Sequence, residues 1–460
     1  MDFETITNLI IDKKTREFRK AIEDLEFVDI AEIIEKLDDD YQIVAFRMLP
    51  KDIAADVFAY LSIELQEQII TNINDKEVTS IIEELYVDDA VDLLDELPAN
   101  IVTRVLKNAK PEKRALLNQY LNYKEYSAGS IMTAEFIDLK KDMSVKDAIE
   151  KIRKVADEKE DINITYVIDN QRKLIGICDL KTLLCSKDDV KVEDIMEDSF
   201  IFCKTSDDQE FVTKLLQKYD LLALPVCDNE NRLVGIITID DAVDVIQEEA
   251  EEDFEKMAAM LPSNKPYLEM SVFSLFKNRI IWLSILMITG MITGAILESF
   301  EEAISALPLL VAFLPMLNDT GGNSGSQAAT MCIRGLTTGE VTPGQWLKVW
   351  WKEFRVSILV SLALALFNFV RILCKNIEVP DGSDLTEMQM KLRYATVICG
   401  TLILAVMLAK SIGALLPLLA KKIHLDPAVC AAPMITTIVD CCTILIYFGL
   451  ATTIFRGIIV

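Results

Sequence analysis

The chain has 460 residues, with 73 Asp and Glu against 47 Lys and Arg, a net charge of −26 and a hydrophobic fraction of 51%. The acidic excess lies in residues 1–270, which have 61 acidic and 33 basic residues, whereas residues 271–460 have 12 and 14. This balance excludes a protein that binds nucleic acid through a basic surface. It indicates an acidic, water-exposed part followed by an integral membrane part.

The cysteines and the N-terminus indicate a reducing, cytosolic environment. The ten cysteines have no CxxC or other metal-type spacing, and the chain contains a single histidine, His424. A transition-metal site built from thiolates or imidazoles is therefore not expected. The first residues, "MDFETITNLIIDKKTREFRK", lack the basic start and apolar run of a cleavable signal. We expect the N-terminus to be cytoplasmic.

An internal repeat of 12 residues runs from about residue 27 to 110. Positions such as Ile33, Val57 and Ile81 each begin an apolar i, i+1, i+4 pattern, which is typical of a helix, and turn signals such as Pro50 and Pro98 end the units. One unit is too short to bury a core of its own, so neighbouring units must stack. We expect residues 1–126 to form an acidic α-solenoid; a plain helical bundle is the alternative.

A second repeat runs from about residue 127 to 248. "SIMTAEFIDL" aligns with "DIMEDSFIFC", and "KLIGICDLK" aligns with "RLVGIITIDD". Each copy is predicted to fold as helix, strand, turn, strand, helix. The repeat resembles a tandem pair of cystathionine-β-synthase (CBS) domains, at residues 127–187 and 188–248. The resemblance implies an α/β module that senses ligands and regulates an attached domain.

An acidic linker helix and five membrane spans are predicted for the rest of the chain. The linker occupies residues 249–276, and the membrane domain occupies residues 277–460, with largely uncharged runs at 280–297, 303–333, 356–370, 394–420 and 427–455. Five spans and a cytoplasmic N-terminus place the C-terminus outside. The predicted fold class is thus multidomain, with an α-solenoid, an α/β CBS pair and an all-α transmembrane domain of five helices.

The second run contains the polar stretch "NDTGGNSGSQ" at residues 318–327. Irregular backbone is tolerated at membrane depth only where protein buries it or where it lines a water-filled path. We therefore expect a broken span whose carbonyls and whose amides Asn318, Asn323 and Gln327 face a solute. Close helix packing is the alternative, for which Gly290 and Gly294 of the first span form a plausible GxxxG pair.

Asp440 lies near the middle of the last apolar run. A carboxylate at the bilayer centre costs about 2.5–3.5 kcal/mol on insertion scales, so its default interpretation is functional, and a cation is its natural partner. A salt bridge to Lys410, which interrupts the fourth span, is the structural alternative. One carboxylate among amides and hydroxyls suits a hard cation such as Mg²⁺. The residue types alone leave Na⁺, Ca²⁺, Mn²⁺ and H⁺ open.

Together these features resemble the MgtE family of magnesium channels. The resemblance covers nearly the whole chain, through the acidic helical repeat, the CBS pair, the acidic helix "DDAVDVIQEEAEEDFEKMAAM", "TGGNSGSQ" in the second span and "LDPAVCAAPMITTIVD" in the fifth. It implies a homodimer in the plasma or inner membrane, with a pore between the two membrane domains. Mg²⁺ selectivity would centre on Asp440, and Gly321, Gly322, Asn323 and Thr436 would line the pore. Asp426 would meet the linker helix, called the plug, through bound Mg²⁺.

The acidic residues of the soluble part predict a cation-dependent switch. Like charges brought together repel unless cations intervene, so a compact arrangement of them requires bridging ions. In the family that the chain resembles, cytosolic Mg²⁺ holds the pore closed. The residues that match by position are Asp88, Asp92, Asp241, Asp244, Glu249, Glu252 and Asp253, with Asp56, Glu210 and Asp220 as further candidates. For each of them a solvated surface position is the alternative.

Regulatory nucleotide binding is left open by the sequence. CBS pairs often bind adenine nucleotides such as ATP, and the second copy keeps "GIITIDD", whose Asp241 could contact a ribose. The first copy has Thr182 at that position.

Two other classes of protein remain as alternatives. A CBS-regulated anion channel or secondary transporter would prefer Lys, Arg or helix N-termini over Asp440 along its path. A membrane-embedded enzyme is disfavoured because the chain has no GxxxxGK[ST], GxSxG or HExxH motif.

Overall fold

The structure is a computed structural model that describes residues 3–51, 53–263, 267–268, 270–377, 386–430 and 432–456. It divides into two compact units, Met1–Gln247 and Glu248–Val460. The first unit contains helices and two small sheets, and the second contains helices. The predicted fold class is confirmed: a helical N-terminal domain, a CBS pair with sheets and a helical C-terminal domain with apolar helices.

Ten helices open the first unit. They are α1 (Phe3–Ile11), α2 (Thr15–Ile22), α3 (Phe27–Glu35), α4 (Asp39–Met48), α5 (Ala54–Ala59), α6 (Ile63–Asn72), α7 (Asp75–Glu84), α8 (Val87–Glu96), α9 (Ala99–Asn108) and α10 (Pro111–Tyr120). From α6 onward each helix begins 12 residues after the previous one, as the repeat predicts. Helix α7 begins at a capping box in which Asn74 and Glu77 satisfy each other's backbone N–H groups.

The helices stack in two alternating rows. Helices α3, α5, α7 and α9 pack in one row, and α4, α6, α8 and α10 pack in the other. Arg104 of α9 donates hydrogen bonds to the backbone oxygens of Ile70 and Ile73, at the C-terminal end of α6, where carbonyls have no partner within the helix. Each unit thus uses its neighbours both for its apolar core and for its helix ends, and the prediction of a solenoid of stacked repeats is confirmed.

The CBS pair contains two three-stranded sheets. The first copy has β1 (Asp138–Lys140), α11 (Val145–Val155), β2 (Ile164–Ile168), β3 (Leu174–Asp179) and α12 (Leu180–Cys185). The second has β4 (Cys203–Lys204), α13 (Gln209–Tyr219), β5 (Ala223–Cys227), β6 (Leu233–Thr238) and α14 (Ile239–Met257). In each sheet the first strand pairs parallel with the second and the second pairs antiparallel with the third. The sequence pattern missed β1 and β4, which are only three and two residues long.

The two copies exchange backbone contacts. Thr133, ahead of the first sheet, bridges to Ile236 of the second copy, and Glu197, ahead of the second sheet, bridges to Ile177 of the first. One hydrophobic core continues from the solenoid into the second copy, through residues such as Met132 and Leu224. The solenoid and the CBS pair are therefore packed together within the first unit.

The second unit contains the long apolar helices. After the end of α14 come α15 (Val272–Glu298), α16 (Glu301–Ala306), α17 (Leu314–Thr337), α18 (Trp346–Cys374), α19 (Glu387–Lys422) and α20 (Ala432–Ile454). In the described part of the chain, four helical segments are long and apolar enough to cross a membrane: Val272–Glu298, Pro343–Cys374, Glu387–Lys422 and Ala432–Ile454. Helix α17, with 24 residues, is about 36 Å long, but its polar stretch lowers its hydropathy.

The expected break in the second span is wrong. Helix α17 runs from Leu314 to Thr337 straight through "NDTGGNSGSQ", and none of its glycines has a positive φ. The backbone groups are therefore satisfied within the helix, and no carbonyls are freed to face a solute. The glycines serve close packing, which was the alternative interpretation of small residues in this part of the chain.

Candidate ion pathway and acidic cation sites

Helix α17 packs directly against α20 through its glycines. A Cβ atom at Gly322 would lie 2.9 Å from Cγ2 of Thr436, and one at Gly325 would lie 2.9 Å from Cγ2 of Ile435. Gly321 faces Val439 and Thr443 further along α20. The two helices thus run antiparallel, and only glycine lets their backbones approach this closely. By contrast, nothing lies within 4 Å of a Cβ at Gly290 or Gly294, so that GxxxG pair does not pack within the chain.

The other face of α17 presents a polar stripe. Its exposed polar side chains recur at helical spacing, at Asp319, Asn323, Gln327, Thr330 and Arg334. Asn323 Nδ2 donates to Asp319 Oδ1 at 3.0 Å. Lipid offers no hydrogen bonds to such groups, so the stripe requires water, ions or further protein beside it. Of the amides singled out in the sequence, Asn323 and Gln327 lie on this stripe, whereas Asn318 is half-buried.

Asp440 lies on α20 beside this region, and its carboxylate is half-buried. Thr436 is one turn before it and is also half-buried. The alternative salt bridge is wrong: Lys410 Nζ pairs with Glu353 Oε2 at 3.4 Å, and the Lys410 side chain is 6% exposed. Asp440 therefore keeps its carboxylate available to a cation, next to the polar stripe of α17.

A separate cluster of three carboxylates lies in the first unit. Asp88 of α8, Glu160 of the loop between α11 and β2, and Asp241 of α14 have carboxylate oxygens that all lie within 4.8 Å of one another; we call these residues the acidic triad. Asp88 is buried, and Asp88 Oδ1 and Glu160 Oε2 are buried without a hydrogen-bond partner. Oxygen donors at this spacing, two of them unsatisfied, fit a hard cation such as Mg²⁺.

The electrostatics of the acidic triad agree with that fit. Burial, together with the nearby charges of the cluster, raises the pKa of Glu160 from 4.5 to about 8. Burial also raises the pKa of Asp241 from 3.8 to about 6, although the hydroxyl of Thr238 stabilises its ionised form. The pKa of Asp88 is raised strongly, first by burial and then by Glu160. Three ionised carboxylates at this place are therefore unfavourable until a cation joins them.

Asp426 lies in an ion-paired network within the second unit. Its Oδ1 accepts from the backbone N–H of Ala428 at 2.8 Å, and its Oδ2 lies 2.7 Å from Nζ of Lys256 near the end of α14. The same ammonium lies 2.5 Å from Glu252 Oε1. Burial alone would lower the pKa of Lys256, but the two carboxylates outweigh it and raise that pKa. A lysine thus joins Asp426 to Glu252 of the linker helix, where the family resemblance implied that bound Mg²⁺ connects Asp426 with that helix.

The remaining candidate acids are not members of the acidic triad. Asp56, Asp92 and Asp244 are exposed on their helices, whereas Glu249 and Asp253 are half-buried on α14. Glu210 pairs with Lys214 one turn later at 2.5 Å. Asp220 ends α13 in the left-handed conformation, with φ at 51°, a position that Asp and Asn tolerate better than most residues. The last two acids therefore have local structural roles.

A basic cavity of about 410 Å³ lies in the CBS pair. Lys140, Lys159 and Arg172 line it together with Asp138 and the aromatic ring of Phe136. This volume is typical of small-molecule sites, and the basic side chains fit the phosphates of a nucleotide. Asp241, the expected ribose contact, is not among the residues that line this cavity, and instead belongs to the acidic triad.

Three residues of these sites were missed in the sequence. Glu160 follows α11 in a loop that has no repeated pattern, so no local signal connects it with Asp88. Lys256 reads as one basic residue in an acidic helix. Asp319 was seen only as an interruption of an apolar run, yet a second carboxylate in a membrane-grade segment is itself a signal of function.

Comparisons with known proteins agree over the whole chain. Residues 314–450 match the family model "MgtE: Divalent cation transporter", residues 25–126 match the MgtE intracellular N domain, and residues 128–186 and 192–248 match CBS domains. The chain is 33% identical to the magnesium transporter MgtE of Thermus thermophilus, over 96% of each chain. It is 30% identical to MgtE of Bacillus subtilis, over 99% of this chain and 98% of the relative.

A solved structure extends the agreement to three dimensions. The cytosolic domain of the Mg²⁺ channel MgtE in complex with ATP is 31% identical to this chain, with a TM-score of 0.51, and the match covers 53% of this chain and 100% of that one. The order of domains, the match to the transporter model and the near full-length identity all lead to one assignment. The chain belongs to the MgtE family of magnesium transporters.

Proposed function

We propose that this chain is a multi-pass membrane protein that conducts Mg²⁺ along a path lined by α17 and α20, with its N-terminus in the cytoplasm. The observation that supports this most is the position of Asp440, a half-buried carboxylate that has no basic ion-pair partner among the described residues and lies beside a polar helix face. A hydrated divalent cation can be held by one or two carboxylates while keeping much of its water. If the path conducted an anion, the carboxylate of Asp440 would repel the transported ion.

A homodimer would complete the path. In one chain the polar stripe of α17 is exposed, and no residue in the apolar window of α15 is buried. A second copy facing the stripe would enclose a polar channel between two α17–α20 pairs and exclude lipid from it. In this arrangement Gly321 and Gly322 set the helix spacing, while Asn323 and Thr436 face the ion.

Closure by cytosolic Mg²⁺ would act through the acidic triad and the linker helix. Mg²⁺ bound by Asp88, Glu160 and Asp241 would replace their mutual repulsion with attraction and stabilise the solenoid against the CBS pair. Within the second unit, Glu252 of the linker helix shares Lys256 with Asp426, and Glu249 and Asp253 add further acidic charge to that helix. The surface charge that attracts cations would also come from Asp56, Asp92, Asp244, Glu210 and Asp220.

ATP would occupy the basic cavity of the CBS pair. The chemistry it needs is charge neutralisation, which Lys140, Lys159 and Arg172 supply at the phosphates. Lys159 is next to Glu160 of the acidic triad in the sequence, so nucleotide binding and cation binding would meet at one loop. Binding of ATP with and without Mg²⁺ to the purified chain tests this connection.

Ion uptake into sealed vesicles tests the proposed function. The full chain, reconstituted with its soluble part outside, should take up Mg²⁺ in preference to Ca²⁺ and Na⁺. Raising Mg²⁺ on the side of the soluble part should reduce the permeability to Mg²⁺. Chloride uptake without Mg²⁺ uptake would favour the anion-channel alternative and overturn the proposal.

A further inference from the structure

Asp319 has no role in the ion path proposed so far, although it is a carboxylate inside a membrane helix. It lies on the exposed polar stripe of α17, one turn before Asn323, whose amide donates to it. In the described part of the chain, no lysine or arginine forms an ion pair with Asp319 or Asp440. An unpaired carboxylate at membrane depth is costly, so each of these residues requires a cation or water beside it.

The antiparallel contact of α17 and α20 brings the two carboxylates to the same level. Gly322 faces Thr436, and Gly321 faces Val439 and Thr443. Moving from Gly322 to Asp319 goes back almost one turn along α17, and moving from Thr436 to Asp440 goes forward about one turn along α20. In antiparallel helices these are displacements in the same direction. The two carboxylates accordingly interact electrostatically.

Two unsatisfied oxygens lie at the same junction. Thr443, on the turn after Asp440, is fully buried and its Oγ1 has no hydrogen-bond partner among the described residues. That oxygen faces Gly321, at 3.3 Å from the position of a Cβ. Asn318 Oδ1, adjacent to Asp319 in the sequence, is also buried without a partner. Buried polar atoms without protein partners usually bind an ordered water or an ion in native proteins.

We propose that Asp319 and Asp440 together form a two-carboxylate site for a hydrated divalent cation, with Asp319 as a second residue that determines selectivity. This inference rests on the proposed function, because it assigns a further ligand to the same path. One carboxylate attracts any cation, whereas two carboxylates at the same level of adjoining helices repel each other unless a divalent cation binds beside them. The main effect of the second carboxylate is therefore on the selectivity for Mg²⁺ over Na⁺, and its effect on the entry of cations in general is smaller.

The variant Asp319→Asn removes the negative charge without changing the shape of the side chain. Its amide oxygen still accepts the hydrogen bond from Asn323, so the helix face keeps its geometry. Asp319→Glu restores the charge, and Glu340→Gln, an exposed carboxylate beyond the end of α17, is the matched control. All variants are made in the full chain and compared by thermal unfolding and size-exclusion chromatography before use.

Uptake into vesicles is the first readout. Asp319→Asn should raise the KM for Mg²⁺ about tenfold and lower the ratio of Mg²⁺ to Na⁺ uptake about tenfold, with Asp319→Glu recovering part of both. Glu340→Gln should match the wild type. If Asp440→Asn loses selectivity while Asp319→Asn keeps the wild-type KM and uptake ratio, the second-carboxylate proposal is overturned and the proposed function stands.

Alkylation of Cys441 and Cys442, quantified on their own peptide, is the second readout and does not depend on transport. Both thiols follow Asp440 and are half-buried. Mg²⁺ should slow their alkylation in the wild type, and Asp319→Asn should need about ten times more Mg²⁺ for the same protection. Equal Mg²⁺ protection in the two proteins overturns the proposal. A shift in protection without Mg²⁺ uptake by the wild type supports the site and contradicts the proposed function instead.

Discussion

Neutralising Glu160 should stabilise the acidic triad without Mg²⁺ and should reduce the further stabilisation that Mg²⁺ adds. The pKa of Glu160 is raised from 4.5 to about 8, which corresponds to about 5 kcal/mol against the ionised folded state above pH 8. Glu160→Gln removes that cost but buries an amide, whose own desolvation costs about 1–3 kcal/mol. In EDTA at pH 8 we therefore expect a net stabilisation of the solenoid against the CBS pair of about 2 kcal/mol.

Hydrogen exchange of the full-length protein in detergent measures this effect. Peptides from α8 and from the loop around Glu160 should exchange roughly thirtyfold more slowly in the variant in EDTA, since 1.36 kcal/mol is a factor of ten. In saturating Mg²⁺ the wild type should gain more protection from the ion than the variant does. A tenfold weaker affinity, from the loss of one of three carboxylates, removes about 1.4 kcal/mol of that gain.

Glu158→Gln is the control for this experiment. Glu158 is an exposed carboxylate two residues before Glu160, so its substitution removes the same charge without touching the acidic triad. It should leave exchange unchanged in EDTA and in Mg²⁺. If Glu160→Gln speeds exchange in EDTA, or if it keeps the full Mg²⁺-dependent protection, then Glu160 is not part of a cation site and the reasoning from burial and repulsion is refuted.

Three further predictions follow from the same contacts. Burial raises the carboxyl pKa values of the acidic triad in the folded state, so protection of α8 from hydrogen exchange in EDTA should fall as pH rises from about 4 to about 8. Mg²⁺ should make this decrease smaller. Protection that rises with pH in EDTA would contradict the raised pKa values. Lys256→Gln should speed hydrogen exchange around Asp426 in Mg²⁺-free buffer. By contrast, Lys214→Gln breaks only an exposed ion pair worth about 0.5 kcal/mol and should change hydrogen exchange little. Equal effects of the two substitutions would show that the ion pairs of Lys256 do not stabilise this region. Gly322→Val should lower the thermal stability of the membrane unit by several degrees because its Cβ meets α20, and Gly290→Val, where a Cβ meets nothing, should not; equal melting temperatures would argue against the α17–α20 contact.

The repetitive parts of the fold could be predicted from the sequence because their signal is local and recurs. A 12-residue apolar period predicts stacked helices without knowledge of their partners, and two copies of one strand–turn–strand pattern predict two similar sheets. Strands β1 and β4 could not be predicted, since two or three residues are too few to show an alternation. The exchange of Thr133 and Glu197 between the two copies depends on contacts across the fold, which a repeat does not encode.

The candidate sites were predicted in part, and the errors have a common physical cause. Asp440 and Asn323 were singled out because a charge or amide stands out from its apolar surroundings in the sequence, whereas Asp88 and Asp241 lie in crowded acidic stretches and were chosen by their match in position to the family. The prediction of a broken span was wrong because adjacent glycines are equally compatible with an irregular backbone and with close helix packing. The close contact of Gly322 with Thr436 of α20 shows the packing role, and a contact between distant parts of the sequence could not be predicted. Glu160 was missed because its partners lie on helices distant in the sequence.

Uptake of Mg²⁺ by Asp440→Asn is the measurement that tests the proposed ion path most directly. The substitution keeps the size of the side chain and removes its charge, so a folded variant in vesicles isolates the contribution of the carboxylate. In the Asp440→Asn variant, Mg²⁺ uptake should fall at least tenfold and its preference over Na⁺ should be lost, whereas Asp440→Glu should retain a measurable part of both. Wild-type Mg²⁺ uptake with unchanged selectivity in the folded Asp440→Asn variant would contradict it.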